Sequence, residues 1–191
     1  MKLKRFYLTA FLAASLGFIS CSDDDTPGQV NEEEVITTMR ATLTPQGSLT
    51  GITLQTQDLD GDGPNPPVVT VSGDLAANTT YDGEMVVLNE TENPVDDITE
   101  EVKTEAAEHQ FIFVPSGALN ATIDYADMES DYPPNTGNNP VGVAFTLTTG
   151  AASSGTLQIV LRHEPNKPND GTLAGAGGET DITATFDITV Q

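Results

Sequence analysis

The sequence predicts an all-β fold, an antiparallel β-sandwich of about nine strands with one helix in a connection. Most of the chain beyond residue 34 alternates apolar and polar residues with a period of two, as half-buried strands do. Segments rich in Gly, Pro and Asn separate these stretches, and only one segment has helical spacing. Strands that do not alternate with helices are typical of two packed antiparallel sheets.

Residues 141–165 are the expected centre of this sandwich. Two strands there each place their apolar side chains on one face, and His163 continues the face of the second strand. The loop between them, residues 150–155, is small and polar with glycine at both ends, so we expect the two strands to pair as a hairpin. The apolar positions are Val141, Val143, Phe145 and Leu147 in the first strand and Leu157, Ile159 and Leu161 in the second.

A second hairpin is expected near the start of the domain, where residues 35–44 and 48–57 flank a turn that contains Pro45 and Gly47. Branched and threonine-rich segments of this kind favour the pleated surface of a sheet. The other strands are expected at residues 68–72, 80–90, 111–114, 118–125 and 180–191.

Residues 97–109 are the one segment that predicts a helix. Asp97 can cap its first turn, with Glu100 three residues later, and His109 ends it where a protonated imidazole would meet the helix dipole. Ile98, Val102, Ala106 and His109 form a stripe at helical spacing. Residues 127–139 and 165–178 are expected to be exposed loops.

The number of strands favours an immunoglobulin-like sandwich. The chain has no Trp and a single Cys, so the tryptophan and the disulfide pair typical of immunoglobulin domains are missing. The fold must therefore be stabilised by its apolar core, and the order of the strands is left open.

The first 20 residues predict a signal peptide. Lys2, Lys4 and Arg5 precede an apolar run, residues 6–19, that is shorter than the roughly 20 residues a membrane span needs. Cys21 follows directly, and the residues before it resemble the lipobox of bacterial lipoproteins. That resemblance implies cleavage before Cys21 and diacylation of its thiol; the alternative is an ordinary secretory signal.

Residues 21–34 are expected to form a lipidated acidic tether, and residues 35–191 the sandwich domain. The tether is too acidic to bury apolar surface. Its start, residues 22–25, resembles the acidic export tag of surface lipoproteins in Bacteroidota-type bacteria. The resemblance implies a lipid anchor in the outer membrane with the domain exposed at the cell surface; the alternative is a generic acidic spacer.

The charge of the domain restricts its partners. With residues 1–20 removed, four Lys and Arg remain against 29 Asp and Glu, a formal charge of −25. Such a charge argues against binding of nucleic acid or of an anionic membrane surface by the domain itself, and it favours cations or basic partners.

One loop of the domain contains three alternating aspartates. Asp58, Asp60 and Asp62, with Gly63 after them, resemble the first half of an EF-hand calcium loop, in which carboxylates at positions 1, 3 and 5 bind Ca²⁺. Val69 stands where that family has a bidentate Glu, so a complete EF-hand is excluded. A smaller calcium site and a plain Asp/Gly turn both remain open.

The two histidines of the chain, His109 and His163, each adjoin a glutamate. Two imidazoles with carboxylates could bind Zn²⁺ or Cu²⁺ if the residues meet in the fold, and the sequence does not establish that they do. The alternative is two hydrogen-bonded structural histidines.

An enzymatic function is not expected. The chain has no Gly-x-Ser-x-Gly elbow and no glycine-rich phosphate loop, and its only thiol is the predicted lipidation site. Its many carboxylates are more simply a solvated face than a glycosidase pair.

The segments at residues 88–99, 105–111 and 161–168 are similar to small lipoproteins labelled as a type 1 periplasmic binding fold superfamily. That label implies a two-lobed α/β solute binder, which the single helix and the absence of strand-helix-strand alternation contradict. We therefore expect a non-enzymatic, lipid-anchored binding or adaptor domain in the cell envelope, accessory to an outer-membrane transporter. The alternative is a metal-binding lipoprotein.

Overall fold

A computed structural model describes residues 34–61 and 63–191, and these residues form nine strands in two antiparallel sheets. The strands are β1 (Thr38–Pro45), β2 (Ile52–Gln57), β3 (Val68–Val71), β4 (Thr80–Leu88), β5 (His109–Gly117), β6 (Ala121–Tyr125), β7 (Ala144–Thr149), β8 (Ser153–His163) and β9 (Glu179–Val190). Two short helices, α1 (Ile98–Thr104) and α2 (Leu173–Ala176), and a 3₁₀ turn at Glu129–Asp131 lie in the connections. The prediction of an all-β fold with two antiparallel sheets is confirmed.

The two sheets differ in size. One has six strands in the order β3-β2-β1-β4-β7-β6, and the other has three in the order β5-β8-β9. β1 and β2 pair as the predicted first hairpin, with Leu43 opposite Ile52 next to the turn. Among the described strands there is no parallel pair, so a two-lobed α/β fold is not what these residues form.

The predicted central hairpin is wrong. β7 pairs with β4 and β6 in the larger sheet, whereas β8 pairs with β5 and β9 in the smaller one. The loop between β7 and β8 therefore carries the chain from one sheet to the other. Period-two alternation identifies which face of a strand is buried, and it does not identify the neighbouring strand, so two consecutive strands with matching faces could equally be packed across a core.

The apolar faces of both sheets form one core. Leu54, Met85 and Phe145 enter it from the larger sheet, and Phe111 and Phe186 from the smaller one, all at most 1% exposed. Burying a side chain of this size contributes about 1.5–3 kcal/mol relative to leaving it in water, so the core can stabilise a domain without a disulfide.

The predicted helix is shorter than expected. Asp97 caps α1 as predicted, because its carboxylate accepts a hydrogen bond from the Thr99 amide at 3.1 Å. The helix ends at Thr104, and residues 105–108 turn the chain so that His109 begins β5. The stripe is buried as predicted. Its last member, His109, belongs to a sheet, because pairing with β8 outweighs the local helical periodicity there.

Among the described residues, no helix is long and apolar enough to cross a membrane.

Candidate metal centre

The two histidines of the chain lie side by side at one end of the smaller sheet. His109, the first residue of β5, is the cross-strand partner of His163, the last residue of β8. Their rings are stacked, with centroids 4.6 Å apart and planes inclined by 22°. Both side chains are buried, at 1% and 6% exposure. The sequence left open whether these residues meet, and the pairing of β5 with β8 brings them together.

Two buried carboxylates complete a four-residue cluster around these rings. Glu34 Oε1 and Asp181 Oδ2 each lie 3.9 Å from His109 Nε2, and Asp181 Oδ1 lies 3.8 Å from His163 Nδ1. The Glu34 side chain is 8% exposed and that of Asp181 is 4% exposed. One ligand atom from each of the four residues lies within 4.8 Å of all the others.

These separations suit ligands of a common ion better than hydrogen-bonded partners. A hydrogen bond to nitrogen needs about 2.7–3.2 Å between heavy atoms, which the 3.8–3.9 Å contacts exceed. Ligands at 2.0–2.1 Å from a tetrahedral Zn²⁺ lie about 3.3–3.4 Å from one another. The other separations in the cluster are at most 4.8 Å, so each side chain would have to move inward by at most about 1 Å to reach zinc geometry.

Asp181 reaches the cluster through a β-bulge. β8 and β9 pair in regular register up to Leu161 and Ile182, and the next pair is Arg162 with Thr180, so Asp181 is the extra residue. A bulge of this kind bends the strand and re-aims the side chain of the extra residue. The sequence does not indicate Asp181 as a ligand, because strict alternation from Ile182 assigns its side chain to the solvent face.

Glu34 reaches the cluster from the segment that precedes β1. The backbone there is fixed by Thr37, whose amide and hydroxyl both donate to the Leu88 carbonyl at 2.9 and 3.1 Å. Sequence analysis missed Glu34 because it ends the acidic run that predicts a solvated tether. In a run of identical carboxylates, nothing in the sequence distinguishes the one that is buried.

Contacts from the connection between β8 and β9 hold the backbone of the site. Lys167 Nζ donates to the carbonyls of Ala106 and His109 at 2.6 and 2.7 Å, and the Glu164 amide donates to the Glu108 carbonyl at 2.6 Å. Gly178 passes so close to His163 that a Cβ at this position, where φ is +68°, would collide with the His163 carbonyl oxygen. These contacts fix the backbone on both sides of the histidine pair.

A hydrogen bond of the His109 ring defines which of its nitrogens can bind a metal ion between the carboxylates. Its Nδ1 lies 3.3 Å from the carbonyl oxygen of Glu105. A carbonyl oxygen can only accept a hydrogen bond, so the imidazole proton is on Nδ1. The lone pair of Nε2 then points toward Glu34 and Asp181. Burial and the neighbouring His163 lower the pKa of His109, against the opposing effect of Glu34. A neutral imidazole whose other nitrogen donates to a carbonyl is the usual arrangement of a metal-binding histidine.

A second group of carboxylates adjoins the cluster. Ligand atoms of Glu34, Glu101 and Glu105 also lie within 4.8 Å of one another. Burial, and then the charges of Glu34 and Glu105, raise the pKa of Glu101; burial, Glu108 and Glu34 raise that of Glu105. Glu101 is exposed and Glu105 half-buried, so this group lies toward solvent.

The aspartate loop between β2 and β3 is a hydrogen-bonded turn. Asp58 Oδ1 accepts from the Asp60 amide at 3.3 Å, and Asp60 Oδ2 accepts from Asn65 Nδ2 at 2.6 Å. The bond from Asn65 lowers the pKa of Asp60, so this exposed carboxylate is ionised at neutral pH. Asp62, the third predicted calcium ligand, and Cys21, the predicted lipidation site, lie outside the described residues, so both predictions stand as predictions.

A comparison of the chain with protein-family models, with curated proteins and with solved structures found no match.

Proposed function

We propose that the protein binds a divalent transition-metal ion, Zn²⁺ or Cu²⁺, through His109, His163, Glu34 and Asp181. The observation that carries the proposal is the convergence of two imidazoles and two carboxylates, all four side chains at most 8% exposed, on one point at the end of the smaller sheet. Imidazole and carboxylate are the donors that these ions take in proteins.

The electrostatics of the cluster support a cation. Glu34 Oε2 is buried and accepts no hydrogen bond from the described residues. A buried polar group without a partner costs about 1–3 kcal/mol, and more when it is charged. A dication bound between Glu34, Asp181 and the two imidazoles would remove that cost, since it neutralises both carboxylates and accepts electron pairs from the ring nitrogens.

A binding role fits this site better than a catalytic one. Four protein ligands fill the tetrahedral coordination of Zn²⁺, whereas catalytic zinc sites keep one position open for water or substrate. We accordingly retain the non-enzymatic assignment. The proposal also keeps the outer-membrane lipid anchor at Cys21 and the cell-surface location, which rest on the lipobox and on the acidic tag.

The second candidate is the binding or adaptor role beside an outer-membrane transporter. Its supporting observation is β3, which lies at the edge of the larger sheet with Val68 60% and Val69 45% exposed. The open edge of a sheet can pair with an extended segment of another protein. Co-purification of an envelope protein that is lost in Val69→Lys would favour this candidate.

We also propose an immunoglobulin-like architecture for the sandwich. Two antiparallel sheets with one shared core support it. The division into six and three strands differs from the four and three of a constant-type immunoglobulin domain. The proposed similarity is therefore one of architecture, two packed antiparallel sheets, and not of strand order.

The metal proposal is tested by titrating the purified full-length protein with Zn²⁺ against a chromophoric chelator. All variants carry Cys21→Ser, which removes the only thiol of the chain. We expect His109→Gln, His163→Gln and Asp181→Asn each to weaken zinc binding by about 100-fold, because each removes a ligand from a four-ligand site.

The matched control is Asp187→Asn, an exposed acid on the same strand as Asp181, which should bind zinc as the parent does. Far-UV circular dichroism checks that each variant is folded. Parent-like zinc and copper affinity in folded His109→Gln and Asp181→Asn variants would refute the proposal, as would a parent protein that binds neither ion.

A further inference from the structure

Glu34 belongs to both groups of potential ligands. The first group is Glu34 with His109, His163 and Asp181, and the second is Glu34 with Glu101 and Glu105. Within each group the ligand atoms are at most 4.8 Å apart. A carboxylate has two oxygens that can bind different ions. In proteins with two neighbouring metal ions the separation of the ions is about 3.5–4 Å.

The burial of Glu34 distinguishes this arrangement from an ordinary acidic surface. Its side chain is 8% exposed, its Oε1 faces His109 at 3.9 Å, and its Oε2 accepts no hydrogen bond within the part of the chain that the structure describes. A solvated acidic face would place such a carboxylate in water. Here one oxygen is turned to the imidazoles and the other is enclosed without a donor.

We propose that the protein holds a second divalent cation between Glu34, Glu101 and Glu105, with Glu34 bridging it to the ion at the histidines. The inference rests on the proposed function, because the bridge requires an ion at His109. The centre would then contain two ions in different environments, one bound by nitrogen and oxygen and the other by oxygen alone.

The surroundings of Glu101 and Glu105 agree with this assignment. Among the described residues neither has a Lys or Arg within salt-bridge distance, whereas Glu100 on the same helix pairs with Lys103 at 2.8 Å. Three carboxylates whose ligand atoms lie within 4.8 Å of one another repel each other. A dication relieves that repulsion.

The donor set predicts which ions the second position accepts. Carboxylate oxygens alone suit hard ions such as Mn²⁺ and Ca²⁺ and also accept Zn²⁺ and Cu²⁺, whereas imidazole favours Zn²⁺ and Cu²⁺ over hard ions. Because Glu101 is exposed, water completes the coordination of the outer ion. We therefore expect the outer ion to be bound more weakly and to exchange faster than the ion at the histidines.

The test is the number of Zn²⁺ ions bound per chain, measured by elemental analysis after equilibrium dialysis of the full-length Cys21→Ser protein. The double variant Glu101→Gln/Glu105→Gln should bind one ion fewer than its parent. The matched control, Glu100→Gln/Glu108→Gln, removes the same charge from two exposed glutamates of the same segment and should bind as many ions as the parent.

A second readout reports whether the two ions are neighbours. Two Cu²⁺ ions about 4 Å apart couple magnetically, so the integrated electron paramagnetic resonance signal should be smaller than the copper content of the parent protein. In Glu101→Gln/Glu105→Gln the signal should account for all of the remaining copper. The control variant should show the reduced signal of the parent.

The outcomes separate this inference from the proposed function. If the parent binds one ion, and Glu101→Gln/Glu105→Gln binds the same one, the second position is overturned and the histidine site stands. If ions are lost from the control variant as well, the effect is one of general charge and the second position is again overturned. If no ion binds at all, the proposed function fails together with the inference.

Discussion

At the scale of single residues, the site depends on an exception to strand alternation. Ile182, Ala184 and Phe186 face the core, and the same rhythm places Asp181 outside with Thr183. The bulge opposite Arg162 shifts the register of Glu179–Asp181 by one residue and leaves Ile182–Val190 in phase. A single inserted residue thus converts a surface aspartate into a buried one beside two histidines.

His109 makes stability depend on pH in a defined direction. Burial and His163 lower the pKa of His109 in the folded protein below its ordinary value of 6.5. Between these two pKa values His109 binds more protons in the unfolded chain than in the folded protein. The stability that the neutral imidazole contributes is therefore complete above pH 6.5, and it is lost as the pH falls through the lowered pKa of the folded state. We expect the metal-free protein to lose stability over this interval.

The measurement is urea unfolding in the presence of a chelator from pH 5 to pH 7.5, for the parent protein and for His109→Gln. The raised pKa values of Glu101 and Glu105 make the protein less stable as the pH rises, which opposes the effect of His109. Glu34 and Asp181 also face the ring. Only the difference in unfolding free energy between the parent and His109→Gln therefore reports on His109. A difference that is constant across the interval would contradict the assignment of a neutral His109.

At the scale of secondary-structure elements, the connection between β8 and β9 holds the site together. Sequence composition predicts an exposed loop for residues 165–178, and this is only partly correct, because half-buried residues alternate with exposed ones and Pro165 and Ala176 are buried. The side chain of Lys167 is only 5% exposed, lies 3.2 Å from Glu129 and donates to two backbone carbonyls. Burial lowers the pKa of Lys167, and Glu129 opposes that effect. The charged ammonium group is thus retained next to the His109 carbonyl.

Lys167→Met is expected to destabilise the protein by about 3–5 kcal/mol, because it leaves Glu129 buried without its cation and two carbonyls without a donor. Chemical denaturation measures the change. Lys103→Met is the matched control: the Lys103–Glu100 contact is shorter, at 2.8 Å, but Glu100 is 69% exposed, so we expect about 0.5 kcal/mol or less. Equal losses in the two variants would show that burial does not govern the strength of these pairs.

At the scale of the whole molecule, two sites with different metal preferences are expected in one domain. The histidine cluster offers nitrogen and oxygen donors at the end of the smaller sheet, and the aspartate loop between β2 and β3 offers oxygen donors only. Ligands that bind only the folded state raise its thermal stability, so each site can be detected through the melting temperature.

For the aspartate loop, the prediction is a rise in melting temperature when Ca²⁺ is added after chelation. An ion at 100 times its Kd contributes about 2.7 kcal/mol, which corresponds to roughly 5–10 °C for a domain of this size. In a Glu101→Gln/Glu105→Gln background, which removes the oxygen-only position beside Glu34, Asp60→Ala should abolish the rise and His109→Gln should keep it. An absent rise in the parent, or a full rise in Asp60→Ala, would identify the loop as a plain turn.

The sequence by itself determined the class of fold, nearly all of the strands and the first hairpin, because alternation and turn residues act over a few neighbouring positions. It also identified both histidines as candidate ligands. The pairing of β8 with β5, the end of α1 at Thr104, the bulge at Asp181 and the burial of Glu34 were decided only by tertiary structure. Each of these depends on which distant backbone supplies hydrogen bonds or excludes water, and such long-range contacts leave no local pattern in a single sequence.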